Sequence, residues 1–536
     1  MCGGAPSCIK IAGFCAEFIR ILVTLTWPLS DYVLNFLYGL FMGKTKQLPP
    51  IENKILLLSA TELAAKIRIK ELSCEEVMKV YVERAKLVHP YINAATDERY
   101  EDALKDAKKV DEFLASGTKS VEEIARETPL LGVPFTCKEA VGVKDMRQNS
   151  GLVRYKDHIA EQDSDTAALY KKAGAIPVTV TNVPELCMWW ESANHVSGLT
   201  KSPFDITRTV GGSSGGEGAI ITSAGALIGI GNDIAGSIRI PASFCGIYGH
   251  KPTKGVISNF ADFPFSQMEP NVEDRTVEFV STGPMCRYAR DLPLLLRVLS
   301  DHDQRLQWDK KVNFKKIKIY YIEEFPGLLH TVVPDIKKSI KKAVTHFQEE
   351  YGIKPLPVRF PELKYAFYIW ECKLLEFGGQ PFVSYLQGDN KGINLWWELF
   401  KNIFQKSDHT LPAIYFGMVD RREKDEFYYF CLEQYKELER KFNELFKDDA
   451  IILVPTHPEP PPHYLRTIPM YPNAAYTCIF NILGLPSSQI PTGSSRGLPI
   501  GIQAVSGQFK DHICVATALE LDKVFNGWIS PCPINV

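Results

Sequence analysis

The 536-residue chain lacks a charge bias. Its 61 Lys and Arg stand against 63 Asp and Glu, a net charge of −2. Such a balance gives no basic face for nucleic acid, and no nucleic-acid partner is expected. The thirteen cysteines contain no CxxC pair, which removes the common zinc-ribbon and thioredoxin-like arrangements. There is no Asn-x-Ser/Thr sequon, and no internal repeat, zinc-finger, P-loop or coiled-coil pattern. The cysteines are odd in number and dispersed from Cys2 to Cys532. That usage suits free thiols in a reducing compartment, with the catalytic body facing the cytosol. No metal and no cofactor is expected.

What is present begins with one long apolar run. "ILVTLTWPLSDYVLNFLYGLFMG", residues 21 to 43, is followed by Lys44 and Lys46. Its length suffices to span a bilayer. Pro28 and Asp31 interrupt it, so it reads as a kinked single span or as a hairpin or interfacial anchor; a buried amphipathic arm is the bland alternative. No small-residue cleavage site follows, which argues against a signal peptide. The chain accordingly divides into an anchor and linker over 1–50 and a catalytic domain over 51–536. A membrane-associated protein at a lipid droplet or endoplasmic reticulum surface fits the hairpin reading.

Beyond the linker the apolar spacing becomes helical. "LSCEEVMKVYVERAKLV" opens on Ser73 with Glu76 three residues on, a capping-box pattern, and "YEDALKDAKKVDEFLAS" is a second amphipathic helix. "PLLGVPFTCKEAV" and "AGAIPVTVTNVPE" read as short buried strands. Strands alternating with helices predict an α/β layered fold around a central sheet. "NLWWELFKNIF" places Leu395, Trp396, Leu399, Phe400 and Ile403 on one helical face, with Glu398, Lys401 and Asn402 opposite. That face serves either the core or a membrane or acyl chain. "PTHPEPPPHYLRTIPMYP" is a proline-rich loop, read as a lid or as well-packed surface.

The chemistry centres on "GGSSGGEGA", residues 211 to 219. A Walker loop would end in lysine, and none is near. A dinucleotide fingerprint fails because "GIGNDIAG" supplies only Gly229 and Gly231, and Asp233 would repel a pyrophosphate. Acyl transfer fits better, since it needs a nucleophile, a base and amide donors aimed at an oxyanion. Ser237, in "DIAGSIRIP", sits on a glycine-containing turn that can expose a hydroxyl and align backbone N–H groups. Lys138 follows a strand expected to be buried, where an ammonium is disfavoured and the amine can act as a base. Either residue alone more often plays a bland part: a turn serine satisfying its backbone, an exposed lysine at a strand end.

Together these segments resemble the amidase signature family: the glycine run, the serine of "DIAGSIRIP" 24 residues after Ser213, the lysine of "GVPFTCKE", and "NILGLPSSQIPTG" with "GLPIGIQ". The resemblance runs from about residue 55 to 530, and "TNVPELCMWWESAN" with the apolar N-terminus is similar to the branch that hydrolyses fatty-acid amides. It implies the amidase-signature α/β fold, a large twisted mixed β-sheet covered by helices on both faces. It also implies Ser237 as nucleophile, Ser213 as bridging serine behind a cis peptide bond eased by Gly212, and Lys138 as terminal base, a Ser-Ser-Lys relay. The backbone N–H groups of Ile234, Ala235, Gly236 and Ser237 match the oxyanion hole, and Cys187 a position lining the substrate site. Asp233 and Arg239 read as an ion pair supporting the nucleophile turn, and Ser214 as structural. The family usually has glycine where Ala235 stands; if φ is positive there, alanine is strained by about 1 kcal/mol.

The expected activity is hydrolysis of fatty-acid primary amides and N-acylethanolamines through an acyl-enzyme. The expected partners are a long-chain amide substrate, a membrane or lipid surface, and a second copy of the chain in a homodimer. Competing readings are an amidase for small polar amides, the A subunit of a glutamyl-tRNA amidotransferase, and a non-catalytic lipid-surface binding protein.

Overall fold

Among the described residues, seven segments carry backbone hydrogen-bonding runs in which every residue is buried. In the computed structural model, which describes residues 33, 37, 47–263, 278–308, 310–327, 330–376, 382–387, 393–419 and 424–536, these form the heart of one sheet. In chain order the strands are β1 (Ala95–Glu98), β2 (Pro134–Lys138), β3 (Ile176–Thr181), β4 (Ala193–Asn194), β5 (Gly198–Leu199), β6 (Ile228–Asp233), β7 (Tyr248–Lys251), β8 (Ser281–Cys286), β9 (Lys318–Tyr321), β10 (Leu356–Pro357), β11 (Ala450–Pro455), β12 (Ser487–Ser495) and β13 (Leu498–Ser506). Apart from the small β4–β5 ribbon, they make an 11-stranded sheet of order β1-β3-β2-β6-β8-β7-β12-β13-β11-β9-β10. It is mixed: β3, β2 and β6 run parallel, as do β11, β9 and β10, while the strands between pair antiparallel.

Side chains alternate between the faces of a strand. Burial at every position of β2, β3, β6, β7, β8, β11 and β13 therefore means that both faces are covered. The helices used below are α1 (Cys74–Ile92), α2 (Tyr100–Ser116), α3 (Gly215–Thr222), α4 (Arg239–Phe244), α5 (Leu292–Leu299), α6 (Ala366–Glu376), α7 (Leu395–Ile403), α8 (Leu411–Val419), α9 (Ala475–Ile482) and α10 (Asp511–Phe525). The α/β architecture expected from the sequence is the one observed.

Local chemistry sets the helix ends. Ser73 caps α1 by accepting from the Glu76 N–H at 3.0 Å, and Asp111 of α2 accepts from the Cys74 and Glu75 N–H groups at 2.7 and 2.9 Å. One helix thus supplies an acidic cap to the next. Val77, Tyr81, Ala85 and Val88 recur on the buried side of α1, each Val-sized burial being worth about 1.5–3 kcal/mol. The ten cysteines among the described residues are free and buried.

Two readings left open by the sequence are narrowed. Most of the apolar stripe of α7 faces outward: Trp396 is 74% and Ile403 72% exposed, with Trp397, Phe400 and Phe404 also exposed, while Leu395 is buried. Leu395 and Glu398 are turned inward, and Glu398 accepts from Ser407 Oγ at 2.8 Å and pairs with Lys401 at 2.6 Å. The proline-rich loop is packed structure: His463, Tyr464 and Met470 are buried, and Tyr464 Oη donates to Thr200 O at 3.1 Å. The anchor expected over residues 21–43 lies outside the described residues apart from isolated positions. No helix among the described residues is long and apolar enough to cross a membrane.

Candidate active site

Parallel neighbours end on the same edge of a sheet. β2 and β6 pair in this way, so Lys138 at the end of β2 lies beside the end of β6, where Asn232 and Asp233 stand. The crevice at the carboxyl ends of parallel strands is where α/β folds place ligands. Lys138 is fully buried. Its Nζ donates to Ser213 Oγ at 2.6 Å and to Asn232 Oδ1. Asn232 Nδ2 in turn donates to Asp262 Oδ2 at 3.0 Å. Burial pushes the Lys138 amine below the usual lysine range, against the opposing pull of Cys187, Asp262 and Asp233. Burial likewise raises the Asp262 carboxyl to about 7.

Ser213 lies on the loop that enters α3, and the Gly212–Ser213 peptide bond is cis. A Cβ on Gly212 would stand 2.6 Å from Trp189 O, so the backbone of that strand-to-helix loop passes too close for any side chain there. Ser214 N–H donates to Ser237 O at 3.1 Å, which fastens the Ser213 loop to the Ser237 turn. Ser214 Oγ bonds Asn232 O at 3.5 Å, a structural part as expected. Inside the run, Glu217 is buried and accepts from Thr136 Oγ1 of β2 at 2.6 Å and Thr181 Oγ1 of β3 at 2.7 Å. Burial raises its carboxyl to about 8, more than these hydrogen bonds lower it.

The Ser237 turn is braced by one ion pair. Asp233 takes Arg239 in a two-point grip, Nε to Oδ2 at 3.0 Å and an Nη to Oδ1 at 2.9 Å, with both side chains wholly buried. The same carboxylate accepts the Gly236 N–H at 2.7 Å and the Ile238 N–H at 3.1 Å. Burial alone would raise this carboxyl, but Arg239 and the donors around it hold it at about 2. Arg239 also donates to Thr477 O, Asn481 Oδ1 and Gln503 Oε1 at 3.0, 2.6 and 3.1 Å.

The Gly236 N–H, one of the four donors expected from the sequence, is thus engaged by Asp233 inside the turn. Ile234, Ala235 and Ser237 make no backbone N–H bond among the described residues. Positive φ falls on Gly236, at 127°, and not on Ala235, so alanine carries no backbone strain at its position. The carbonyls of the turn are fixed from outside: Trp370 Nε1 donates to Ile234 O at 3.0 Å, and Thr477 Oγ1 to Ala235 O.

Ser237, Ala235, Ile234, Gly212 and Cys187 line one cavity. Its other wall is aromatic and apolar, formed by Trp189, Phe367, Trp370, Phe416 and Tyr471 among others. Cys187 sits against Lys138, and burial raises its thiol. The structure thus gathers every residue singled out in the sequence. It adds Asn232, Asp262, Glu217, Thr477 and Trp370, to which the sequence reading assigns no role. The only local signal for Glu217 and Asn232 is a polar residue inside an otherwise apolar or glycine-rich buried segment. Among the described residues no cluster of His, Cys, Asp or Glu is arranged to hold a metal ion.

Residues 76–515 match the family model described as Amidase. Fatty-acid amide hydrolase 2-A of Danio rerio is 40% identical over 96% of this chain and 97% of its own length. Fatty-acid amide hydrolase 2 of Homo sapiens is 38% identical over 92% of this chain and 93% of its own. A solved structure titled fatty acid amide hydrolase shares the fold at a TM-score of 0.71, with 24% identity, covering 93% of this chain and 89% of that one.

Proposed function

The chain belongs to the amidase family, and from that premise we propose that it hydrolyses fatty-acid amides, both primary amides and N-acylethanolamines, through an acyl-enzyme. The observation that carries the reading is the wholly buried Lys138 with its Nζ 2.6 Å from Ser213 Oγ. A lysine whose protonated form is disfavoured by burial can act as a base, and the serine it touches is tied to the Ser237 turn.

In the reaction, neutral Lys138 accepts the Ser213 proton as Ser213 Oγ accepts that of Ser237. Ser237 Oγ bonds to the amide carbon, and the carbonyl π pair moves onto oxygen. The N–H groups of Ile234, Ala235 and Ser237 are the donors left to stabilise that oxyanion. Collapse breaks the C–N bond, the departing nitrogen takes a proton back through Ser213, and the acyl group remains as an ester on Ser237. Water then repeats the sequence and releases the carboxylate. Cys187 and the aromatic wall hold the acyl chain.

The relatives of similar length named fatty-acid amide hydrolase 2 support the substrate class. The outward apolar face of α7 supports delivery from a lipid surface, where Trp and Phe rings partition favourably. A fluorophosphonate probe is expected to label Ser237, and hydrolysis to rise steeply from acetamide to oleamide. Labelling that persists in Ser237→Ala refutes the nucleophile, and a flat chain-length profile refutes the substrate class. Changing Trp396 and Phe400 to Ser is expected to slow hydrolysis of vesicle-borne oleamide while sparing a short soluble amide; equal loss on both refutes the lipid contact.

A further inference from the structure

Lys138 has a second polar neighbour that the relay does not use. Besides meeting Ser213 Oγ, its Nζ donates to Asn232 Oδ1 at the end of β6. Lys138 is wholly buried and Asn232 only 8% exposed. The Asn232 amide is held from behind. Its Nδ2 donates to Asp262 Oδ2 at 3.0 Å, and Thr282 Oγ1 stands 3.2 Å from the same oxygen. Asp262 is itself anchored to the chain just past Lys138: it bridges Val141, and the Phe263 N–H beside it donates to Ala140 O at 2.8 Å.

An amide has one accepting and one donating end, and its neighbours decide which way it points. An ionised carboxylate only accepts, so Asp262 draws the NH2 end of Asn232 to itself and leaves the carbonyl for Lys138. That carbonyl accepts and cannot donate. As an ammonium, Lys138 has three N–H donors and no acceptor. As an amine it keeps two donors and gains one lone pair. The direction of that lone pair decides the relay, because the Ser213 proton can move only onto it. An unconstrained amine turns about Cε–Nζ and offers Ser213 an N–H as readily as the pair.

We propose that Asn232, held by Asp262, is a positioning residue for Lys138: its side-chain carbonyl takes one N–H of the amine and so turns the lone pair toward the Ser213 hydroxyl. This role rests on Lys138 acting as the base. The titratable groups facing Lys138 are the Cys187 thiol and the Asp262, Asp233 and Glu217 carboxyls, and burial outweighs their pull on the amine. Asn232 brings an acceptor to the amine without adding a charge. A carboxylate in its place would hold the proton on Nζ.

The test is a double-mutant cycle in the full chain, read as the rate of fluorophosphonate labelling across pH, which needs an activated Ser237 but no particular amide. Asn232→Leu keeps the bulk and removes the carbonyl. It is expected to slow labelling at the plateau by about tenfold or more, and to move the rising limb to lower pH, because the ammonium loses an acceptor. In the Lys138→Met background the same change is expected to cost less than about twofold, since it acts through the amine. No loss in Asn232→Leu, or equal losses in the two backgrounds with the limb absent from Lys138→Met, overturns the positioning role and leaves the base standing. A limb that persists in Lys138→Met removes the base, and the positioning role with it. Asp262→Asn is isosteric and can turn an NH2 end toward Asn232, so it frees that amide without removing it. Labelling slower by about threefold or more at the plateau is expected there, and an unchanged plateau overturns the positioning role even if Asn232→Leu does not fold.

Discussion

At Lys138 the proposed relay needs a lone pair on Nζ, and burial supplies it. The sign follows from the lowered value: kcat/KM is expected to rise with pH as Lys138 loses its proton, and to level off below the ordinary lysine value of 10.5. Lys138→Met should remove that rising limb and cost about 10²–10⁴-fold in rate. A rising limb that persists unchanged in Lys138→Met contradicts a neutral-lysine base. Gly236 makes a different demand. At φ 127°, a Cβ would meet Thr477 Oγ1, which stands 2.3 Å from its ideal position. Gly236→Ala therefore strains the turn and displaces the hydroxyl that fixes Ala235 O, at a cost of about 1–3 kcal/mol. Urea unfolding and fluorophosphonate labelling rates should both move; an unchanged labelling rate would mean that the turn absorbs the methyl group.

The elements show what the sequence makes legible and what it hides. α2 spans the amphipathic segment read from the sequence, and β2 and β3 appear where apolar runs end in turn residues. Those signals are local. The face of α7 was equally visible, but periodicity reports only that one side is apolar, not what medium covers it. Sheet order is non-local, so nothing in the run over 211–219 announces that Glu217 will meet threonines from β2 and β3. The segment carrying α7 and α8 is latched to the active-site side by Glu185, which accepts from His409 Nδ1 at 2.6 Å and from the Thr410 N–H at 2.7 Å. Burial lowers the His409 value, but Glu185, with Glu398 and Asp408 nearby, raises it above 6.5 overall. A raised histidine stabilises below its unfolded pKa and loses that contribution as pH climbs through the folded one. Proteolysis of residues 393–419 is thus expected to quicken as pH rises above the ordinary histidine value of 6.5, and His409→Gln to remove the pH dependence. A wild-type cleavage rate flat across that rise rules the latch out.

At the scale of the whole molecule, the Asp233–Arg239 pair joins three distant stretches of chain. Arg239→Met leaves Asp233 buried without its partner and breaks the bonds to Thr477, Asn481 and Gln503. A loss of about 3–5 kcal/mol is expected, and calorimetric melting within a degree or two of the wild type would contradict it. With its carboxyl held at about 2, Asp233 contributes stability above its unfolded value of about 3.9 and loses it as pH falls toward 2. The same arrangement orders events during synthesis. The proposed nucleophile, base and bridging serine all lie before residue 240, but the groups that hold the Ser237 turn in shape are translated some 240 residues later. A chain still on the ribosome carries every reactive atom and no working site, so the hydrolase cannot fire until Thr477, Asn481 and Gln503 have left the exit tunnel.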